Sequence, residues 1–180
     1  MLIDADALAQ AALLHPQVVE HIAAAFGPGV FNSDGQPDRR KLADVVFSDP
    51  TKRRQLEGWI HPRVRATIAQ RLHAARELGV PLAVLDVPLL LENDAQHGLV
   101  AECDALVFVD AQPQERERRA VGTRSWPPGD VERREALQLP LDQKRSRATH
   151  VLHNTGSLAE LTAAAQALRA TLLRGPDGRP

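Results

Sequence analysis

Four short apolar runs, each followed by a helix-like pattern, restrict the fold of this chain more than any other feature of its sequence. They end at or beside the polar residues Asp4, Asp86, Asp110 and Asn154. The runs lack the alternation of apolar and polar residues that a half-solvated strand shows, so we predict strands buried on both faces, as in a parallel sheet covered by helices. The succession of strand and helix predicts an α/β fold with a doubly wound layer structure.

Helical patterns fill the segments between these runs. The clearest is the last, where Ser157 and Glu160 form a Ser-x-x-Glu capping box ahead of leucines on one face. We predict a loop at 27–37, a hinge-like break at 125–129 and a frayed tail after Arg174. The predicted helices cover residues 6–26, 39–47, 51–78, 112–122, 129–147 and 157–173.

Composition excludes several classes of function. The formal net charge of −1 argues against a general nucleic-acid-binding protein, which carries a strong basic excess. Cys103 is the only cysteine, so neither an internal disulfide nor a cysteine metal site can form, and His150 and His153 have no third ligand in reach. The first residues do not resemble a signal peptide, and no apolar stretch approaches the roughly 18 residues of a membrane span. We expect a soluble, cytoplasmic protein that binds neither nucleic acid nor membrane.

Carboxylates at the strand ends and a basic segment after the third strand indicate phosphate chemistry. Ligands of an open parallel sheet bind beyond the carboxyl ends of its strands, where Asp4, Asp6 and Asp86 lie. Carboxylates can hold Mg²⁺ and accept a hydroxyl proton, and arginines can neutralise phosphate charge. Asp110 is equally consistent with a helix N-cap, and the Arg run at 116–119 with a solvated helix face. The residues alone predict an α/β domain that handles phosphate.

Six short segments occur in an order and at spacings typical of one family. They are Ile3-Asp4-Ala5-Asp6, Asp38-Arg39, Val46-Phe47-Ser48-Asp49-Pro50, Ile60-His61-Pro62-Arg63-Val64, Leu85-Asp86-Val87-Pro88-Leu89-Leu90-Leu91-Glu92 and Gln138-Leu139-Pro140-Leu141-Asp142-Gln143-Lys144-Arg145. This ordered set resembles dephospho-coenzyme A kinases, a branch of the P-loop kinases similar to nucleoside monophosphate kinases. The resemblance runs from Leu2 to about Leu172.

The resemblance implies a P-loop kinase-like fold with one domain at 1–174, a helical substrate-covering region at about 16–78, a lid at about 115–147 and a disordered tail at 175–180. It implies ATP-dependent phosphorylation of the ribose 3′-hydroxyl of dephospho-coenzyme A, with Mg²⁺, as the final step of coenzyme A biosynthesis. Two alternatives remain: a non-catalytic relative that binds a coenzyme A-like ligand, and another small-molecule or nucleotide kinase of the same fold.

Site residues are implied position by position. Asp6 matches the base near the 3′-hydroxyl, and Asp4 lies beside it, near the Mg²⁺. Arg119 and Lys144 are the other catalytic candidates. The substrate-binding candidates are Arg39, His61, Asp86, Pro88, Leu89 and Glu92. The ATP-binding candidates are Arg124, Gln138 and Asn154. Thr149 and His153 stand where the family usually has Asp, which affects the geometry of the adenine loop.

One element of the family pattern is absent from the 180 residues: no Gly-x-x-x-x-Gly-Lys-Ser/Thr motif occurs. That motif binds the β- and γ-phosphates through backbone N–H groups and a lysine. In the resembled family it precedes the Asp-Ala-Asp segment, together with a central strand. We therefore expect that the first strand and P-loop are missing here, that the natural gene product is longer, and that Met1 is an internal codon.

The DNA upstream of Met1 tests this expectation. We expect an in-frame segment encoding Gly-x-x-Gly-x-Gly-Lys-Ser/Thr, because phosphoryl transfer in this fold depends on that loop. Sequencing the region 5′ of the gene is the measurement. A stop codon directly before Met1 would contradict the expectation and favour the non-catalytic alternative.

Overall fold

The computed structural model describes residues 1–174, so the predicted disordered tail at 175–180 lies outside the described residues. The chain divides into two compact units, one comprising Met1–Pro88 and the other beginning at Leu89.

Unit 1 contains two short strands and four helices. Its elements are β1 (Leu2–Asp4), α1 (Ala5–Leu13), α2 (Pro16–Phe26), a 3₁₀ turn (Pro28–Val30), α3 (Arg39–Phe47), α4 (Pro50–Glu77) and β2 (Val84–Asp86). Strands β1 and β2 pair in parallel, with Leu2 opposite Val84 and Asp4 opposite Asp86. The parallel pairing and the helices between the two strands confirm the predicted α/β arrangement.

The predicted helix at 6–26 is two helices, α1 and α2, and the reason is local. Pro16 has no N–H, and its ring disfavours helical backbone at the preceding residue. His15 accordingly adopts an extended conformation (φ −68°, ψ 131°), and its Nδ1 accepts a hydrogen bond from the Gln17 N–H. Pro16 is then the first residue of α2, the helical position at which proline is best tolerated.

Helices α1 to α4 enclose the hydrophobic core of unit 1. Its buried members are Ala12, Val18, Ile22, Val30, Leu42 and Ile60. Trp59 packs beside this core, with its ring centroid 5.6 Å from that of Phe26. Pro62 lies inside α4, directly after His61. Since Ile60 faces the core and His61 is exposed, α4 supports the core on one side and presents polar groups on another.

Unit 2 has one parallel strand pair and several short helices. Its described elements are α5 (Asp94–His97), a 3₁₀ helix (Leu99–Glu102), β3 (Val107–Asp110), α6 (Pro113–Arg124), α7 (Asp130–Glu135), α8 (Leu141–Arg147), β4 (His150–His153) and α9 (Leu158–Arg174). Strand β3 pairs with β4 from Val107 opposite His150 to Asp110 opposite His153. The helix predicted at 129–147 is α7 and α8, with Pro140 directly before α8. The capping box is confirmed: the Ser157 N–H donates to Glu160 Oε2 at 2.7 Å.

The prediction that the strands are buried on both faces is wrong for the described residues. Ile3 is fully buried, whereas Leu2 is 61% exposed, Val84 49% and Val109 53%. Successive side chains of a strand point to opposite faces of the sheet. Within residues 1–174, each strand pairs with a single partner strand. Alternate side chains of β1 and β3 are exposed to solvent.

Truncation of Ile22 tests the unit 1 core. Ile22 is fully buried between helices, so Ile22→Ala removes packed methylene groups and leaves a cavity. We expect the free energy of unfolding to fall by about 2–5 kcal/mol, and by about 0.5–1.5 kcal/mol for Ile22→Val. Urea denaturation measures both. Leu14→Ala, at a position 51% exposed, is the matched control and should change it by less than about 0.5 kcal/mol. Equal losses for Ile22→Ala and Leu14→Ala would contradict the core assignment.

Candidate active site

The carboxyl ends of β1 and β2 bring two predicted carboxylates together. Asp4 and Asp86 are direct partners in the parallel register. Residues opposite each other in paired strands project to the same face of a sheet. Asp6 follows in the first turn of α1 and is exposed. Three carboxylates predicted from the sequence therefore come from one end of one sheet.

Asp4 also has a structural role that its sequence position conceals. It is the N-cap of α1, with extended backbone (φ −97°, ψ 111°), and its Oδ1 accepts a hydrogen bond from the Ala7 N–H at 2.9 Å. An N-cap carboxylate satisfies one of the unpaired N–H groups of a first helical turn. This hydrogen bond fixes the Asp4 side chain at the strand end and helps to start the helix that carries Asp6.

Arg39 and His61 lie on the helical part of unit 1. Arg39 is the first residue of α3, whose N-cap Asp38 accepts a hydrogen bond from the Arg40 N–H at 2.9 Å. His61 lies in α4 next to buried Ile60. Both side chains are exposed, and neither makes an ion pair or side-chain hydrogen bond within residues 1–174. They are available to a ligand, as a substrate-binding role requires.

The turn that follows β2 contains a strained residue. Leu89 has φ +54°, the left-handed region that a residue with a Cβ adopts at a cost of about 1–2 kcal/mol. Pro88, immediately before it, is exposed. Backbone strain of this kind is found preferentially at ligand sites. The geometry therefore adds an independent reason to include Pro88 and Leu89 among the candidate substrate-binding residues.

In unit 2, three candidate residues form one hydrogen-bonded group. Lys144 Nζ lies 2.6 Å from Glu92 Oε1 and 2.7 Å from Gln138 Oε1. The Leu139 N–H donates to Glu92 Oε1 at 3.1 Å. Burial acts to raise the pKa of Glu92, but hydrogen bonds from Lys144 and backbone N–H groups outweigh it and hold that pKa below its ordinary value. Glu92 is therefore an anion that fixes the segment leading into α8.

A second pair in unit 2 joins Arg119 to Asn154. The Arg119 guanidinium donates to Asn154 Oδ1 at 3.1 Å, which links α6 to the loop that follows β4. The sequence predicts a catalytic role for Arg119 and an ATP-binding role for Asn154. The structure brings these two side chains into direct contact, although they are 35 residues apart in the chain.

Other charged residues of unit 2 form ion pairs that join its secondary-structure elements. Arg116 forms a bidentate ion pair with Glu135, which joins α6 to α7. The Arg116 Nε donates to Glu135 Oε1 at 2.7 Å, and Arg116 Nη2 donates to Glu135 Oε2 at 2.8 Å. Asp110 is not an N-cap, because α6 is preceded by Gln112. Asp110 instead accepts from Arg145 at 3.0 Å. The N-cap alternative for Asp110 is thus wrong, and Asp110 and Arg116 form long-range ion pairs that neither set of alternatives included.

Sequence reasoning missed Trp126 as a partner of Arg124. The Arg124 guanidinium lies 5.3 Å from the Trp126 ring centroid, and that of Arg134 lies 4.0 Å from it. Both are cation–π distances. A tryptophan between basic residues in an Arg-rich segment is the signal that could have revealed this cluster.

The candidate metal ligands at this strand end are carboxylates. Within residues 1–174, no group of three or more His, Cys, Asp or Glu side chains could hold a metal ion. Mg²⁺ needs fewer protein ligands, because it binds through one or two carboxylates together with waters and substrate phosphates. Asp4 and Asp86 fit that donor set. None of the helices in the described part of the chain is long and apolar enough to cross a membrane.

The Glu92–Lys144 pair predicts a pH-dependent stability. The pKa of Glu92 is lowered in the folded state, so its contribution is present above the ordinary carboxyl pKa of 4.5 and is lost as pH falls through the folded value. Glu92→Gln should lower the free energy of unfolding by about 1–3 kcal/mol at neutral pH. Urea denaturation along a pH series should show this difference shrinking below about pH 4.5. Glu20→Gln, at an exposed position of α2, is the control; a Glu92→Gln difference that does not change with pH would contradict the pairing.

Comparison with known proteins finds relatives over most of the chain. The family model described as dephospho-CoA kinase matches residues 1–160. A dephospho-CoA kinase of Symbiobacterium thermophilum is 39% identical, over 99% of this chain and 73% of that protein. One of Anaeromyxobacter dehalogenans is 41% identical, over 98% of this chain and 82% of that protein.

Solved structures agree with these matches. A crystal structure from Thermus thermophilus has a TM-score of 0.73 at 37% identity, covering 95% of this chain and 84% of that one. A dephospho-CoA kinase from Campylobacter jejuni has a TM-score of 0.71 at 19% identity, which supports the fold alone. The family match across most of the chain, and relatives of about two-fifths identity, lead to one conclusion: this chain belongs to the dephospho-CoA kinase family.

Proposed function

We propose that this protein transfers a phosphoryl group from ATP to the ribose 3′-hydroxyl of dephospho-coenzyme A. The observation that carries the proposal is the parallel register that sets Asp4 opposite Asp86, with exposed Asp6 two residues after Asp4, in a chain of this family. Carboxylates at the carboxyl ends of parallel strands are positioned to act on a ligand bound beyond the sheet.

Asp6 is the proposed general base. A ribose hydroxyl is a weak nucleophile, so a carboxylate within hydrogen-bond reach must orient it and accept its proton. Asp6 is exposed and lies in the first turn of a helix whose start is fixed by the Asp4 cap. Asp4 and Asp86 are the proposed residues near Mg²⁺. When bound, Mg²⁺ neutralises charge on the transferring phosphate.

The basic residues of unit 2 are the proposed phosphate-binding groups. Arg119 and Arg124 can each donate in-plane N–H bonds to phosphate oxygens. Lys144 donates to Glu92 and Gln138, which leaves one of its three N–H donors for a phosphate. Asn154, held by Arg119, is the proposed contact for the adenine end of ATP.

We propose that residues 1–174 form one kinase-like domain. In it, residues at about 16–78 cover dephospho-coenzyme A, with Arg39 and His61 as contacts, and residues at about 115–147 form a lid. A lid that closes over the phosphates excludes water, which prevents ATP from being hydrolysed in place of transfer.

A second candidate is favoured by one observation: the 180 residues contain no Gly-x-x-x-x-Gly-Lys-Ser/Thr motif. A chain without that phosphate-binding loop could bind a coenzyme A-like ligand and transfer nothing. Incubation with ATP, Mg²⁺ and dephospho-coenzyme A separates the candidates. The kinase forms ADP and coenzyme A in equal amounts, and the binding protein retains dephospho-coenzyme A without turnover. Transfer to a nucleoside monophosphate in place of dephospho-coenzyme A would contradict both.

Replacement of Asp6 tests the proposed base. In the protein expressed from its own gene, Asp6→Asn should lower kcat by about a hundredfold or more, because the amide cannot accept the hydroxyl proton. The KM for dephospho-coenzyme A should change little, since the amide keeps the size and hydrogen-bonding reach of the carboxylate. Steady-state kinetics measure both. Asp34→Asn, in the exposed loop of unit 1, is the control and should leave both constants unchanged. Undiminished kcat in Asp6→Asn would remove Asp6 from the base role.

A further inference from the structure

Trp126 lies in the turn between α6 and α7 and contacts two arginines. Its ring centroid is 5.3 Å from the Arg124 guanidinium carbon and 4.0 Å from that of Arg134. Arg124 is the last residue of α6, and Arg134 is in α7. The ring therefore holds two cations whose positions in the chain are ten residues apart.

The position of the Trp126 ring is set by backbone hydrogen bonds on both sides. The Trp126 N–H donates to the Ala120 carbonyl at 3.3 Å, across the left-handed Ser125 (φ +53°) that ends α6. After the ring, the Gly129 N–H donates to Glu117 Oε1 at 2.6 Å. The segment predicted as a hinge-like break is thus a turn fastened to α6 at two points.

The two arginines differ in what else they bind. Arg134 Nε donates to Asp130 Oδ2 at 2.8 Å, and Asp130 is buried, with 7% of its surface exposed. Asp130 also binds Arg133. Arg124, by contrast, has no carboxylate within ion-pair distance among residues 1–174, and its contact is the Trp126 ring. Arg134 is anchored, whereas the charge of Arg124 is not neutralised.

Stacking on a ring leaves the hydrogen-bonding capacity of a guanidinium intact. The five N–H donors of arginine lie in the plane of the group, and the attraction to an aromatic ring acts through its face. A stacked arginine can therefore still bind phosphate oxygens with two parallel N–H bonds. A carboxylate partner would occupy those same donors.

We propose that Trp126 is a positioning residue that holds the Arg124 guanidinium for a polyphosphate anion. The inference rests on the proposed function, in which Arg124 binds ATP, and adds the residue that orders Arg124 beforehand. A long arginine side chain loses rotamer freedom when it binds, and an arginine already held by a ring loses less. The Asp130–Arg134 pair keeps the ring itself in place.

Binding of inorganic tripolyphosphate, measured by isothermal titration calorimetry on the full chain, tests this inference. Arg124→Gln should raise the Kd by about tenfold or more, because a charged hydrogen-bond donor is lost. Trp126→Leu, which keeps apolar bulk and removes the ring, should raise it about two- to fivefold. Trp126→Phe, which keeps a ring, should restore most of the affinity.

A double-mutant cycle separates positioning from general structure. If Trp126 acts through Arg124, the Arg124→Gln/Trp126→Leu double variant should bind no more weakly than Arg124→Gln alone. Additive losses, unchanged binding in Trp126→Leu, or no tripolyphosphate binding by the wild type would each overturn the inference. The proposed function fails separately, by absence of phosphoryl transfer to dephospho-coenzyme A in the unaltered protein.

Discussion

The parallel register of β1 with β2 is the constraint on which the proposed chemistry depends. It sets Asp4 opposite Asp86 although the two are far apart in the chain. Because Asp4 also caps α1, the same carboxylate joins the sheet end to the helix that carries Asp6. A shift of β2 by one residue against β1 would place Asp86 on the face opposite to that of Asp4. Register therefore decides whether the two carboxylates lie on the same face of the sheet.

The Arg-rich part of unit 2 divides its charges between two tasks. Arg116, Arg118 and Arg145 pair with carboxylates and hold local structure. Arg119 donates to the amide oxygen of Asn154 and also lies 3.7 Å from Glu115, whereas Arg124 lies over the Trp126 ring and makes no ion pair among residues 1–174. A cation held by a neutral group keeps its net charge for an incoming anion. Arg124 therefore keeps its charge available for phosphate, while Arg119 shares its charge with Glu115.

The helical part of unit 1 supports its candidate residues in a different way. Arg39 and His61 have no side-chain ion pair or hydrogen bond among the described residues, so their positions depend on the core beneath them. Leu42 and Ile60, on the same two helices, belong to one buried cluster. Burial of that apolar cluster is the free-energy contribution that holds α3, with Arg39, against α4, with His61.

Local features of the molecule could be predicted from the sequence by itself. The strand runs, the Ser157–Glu160 capping box and the family segments depend on residues close together in the chain, whose spacing specifies strand, cap and motif. The break between α1 and α2 at His15 could also have been predicted, because Pro16 disfavours helical backbone at the residue before it. The helical spacing of apolar residues continues across the break, and it led to the prediction of one helix. Tertiary structure alone decided the pairing of Lys144 with Glu92, of Asp110 with Arg145, and of Arg119 with Asn154. Charged and aromatic side chains have many possible partners of suitable chemistry, and only the folded backbone determines which of them come within contact distance.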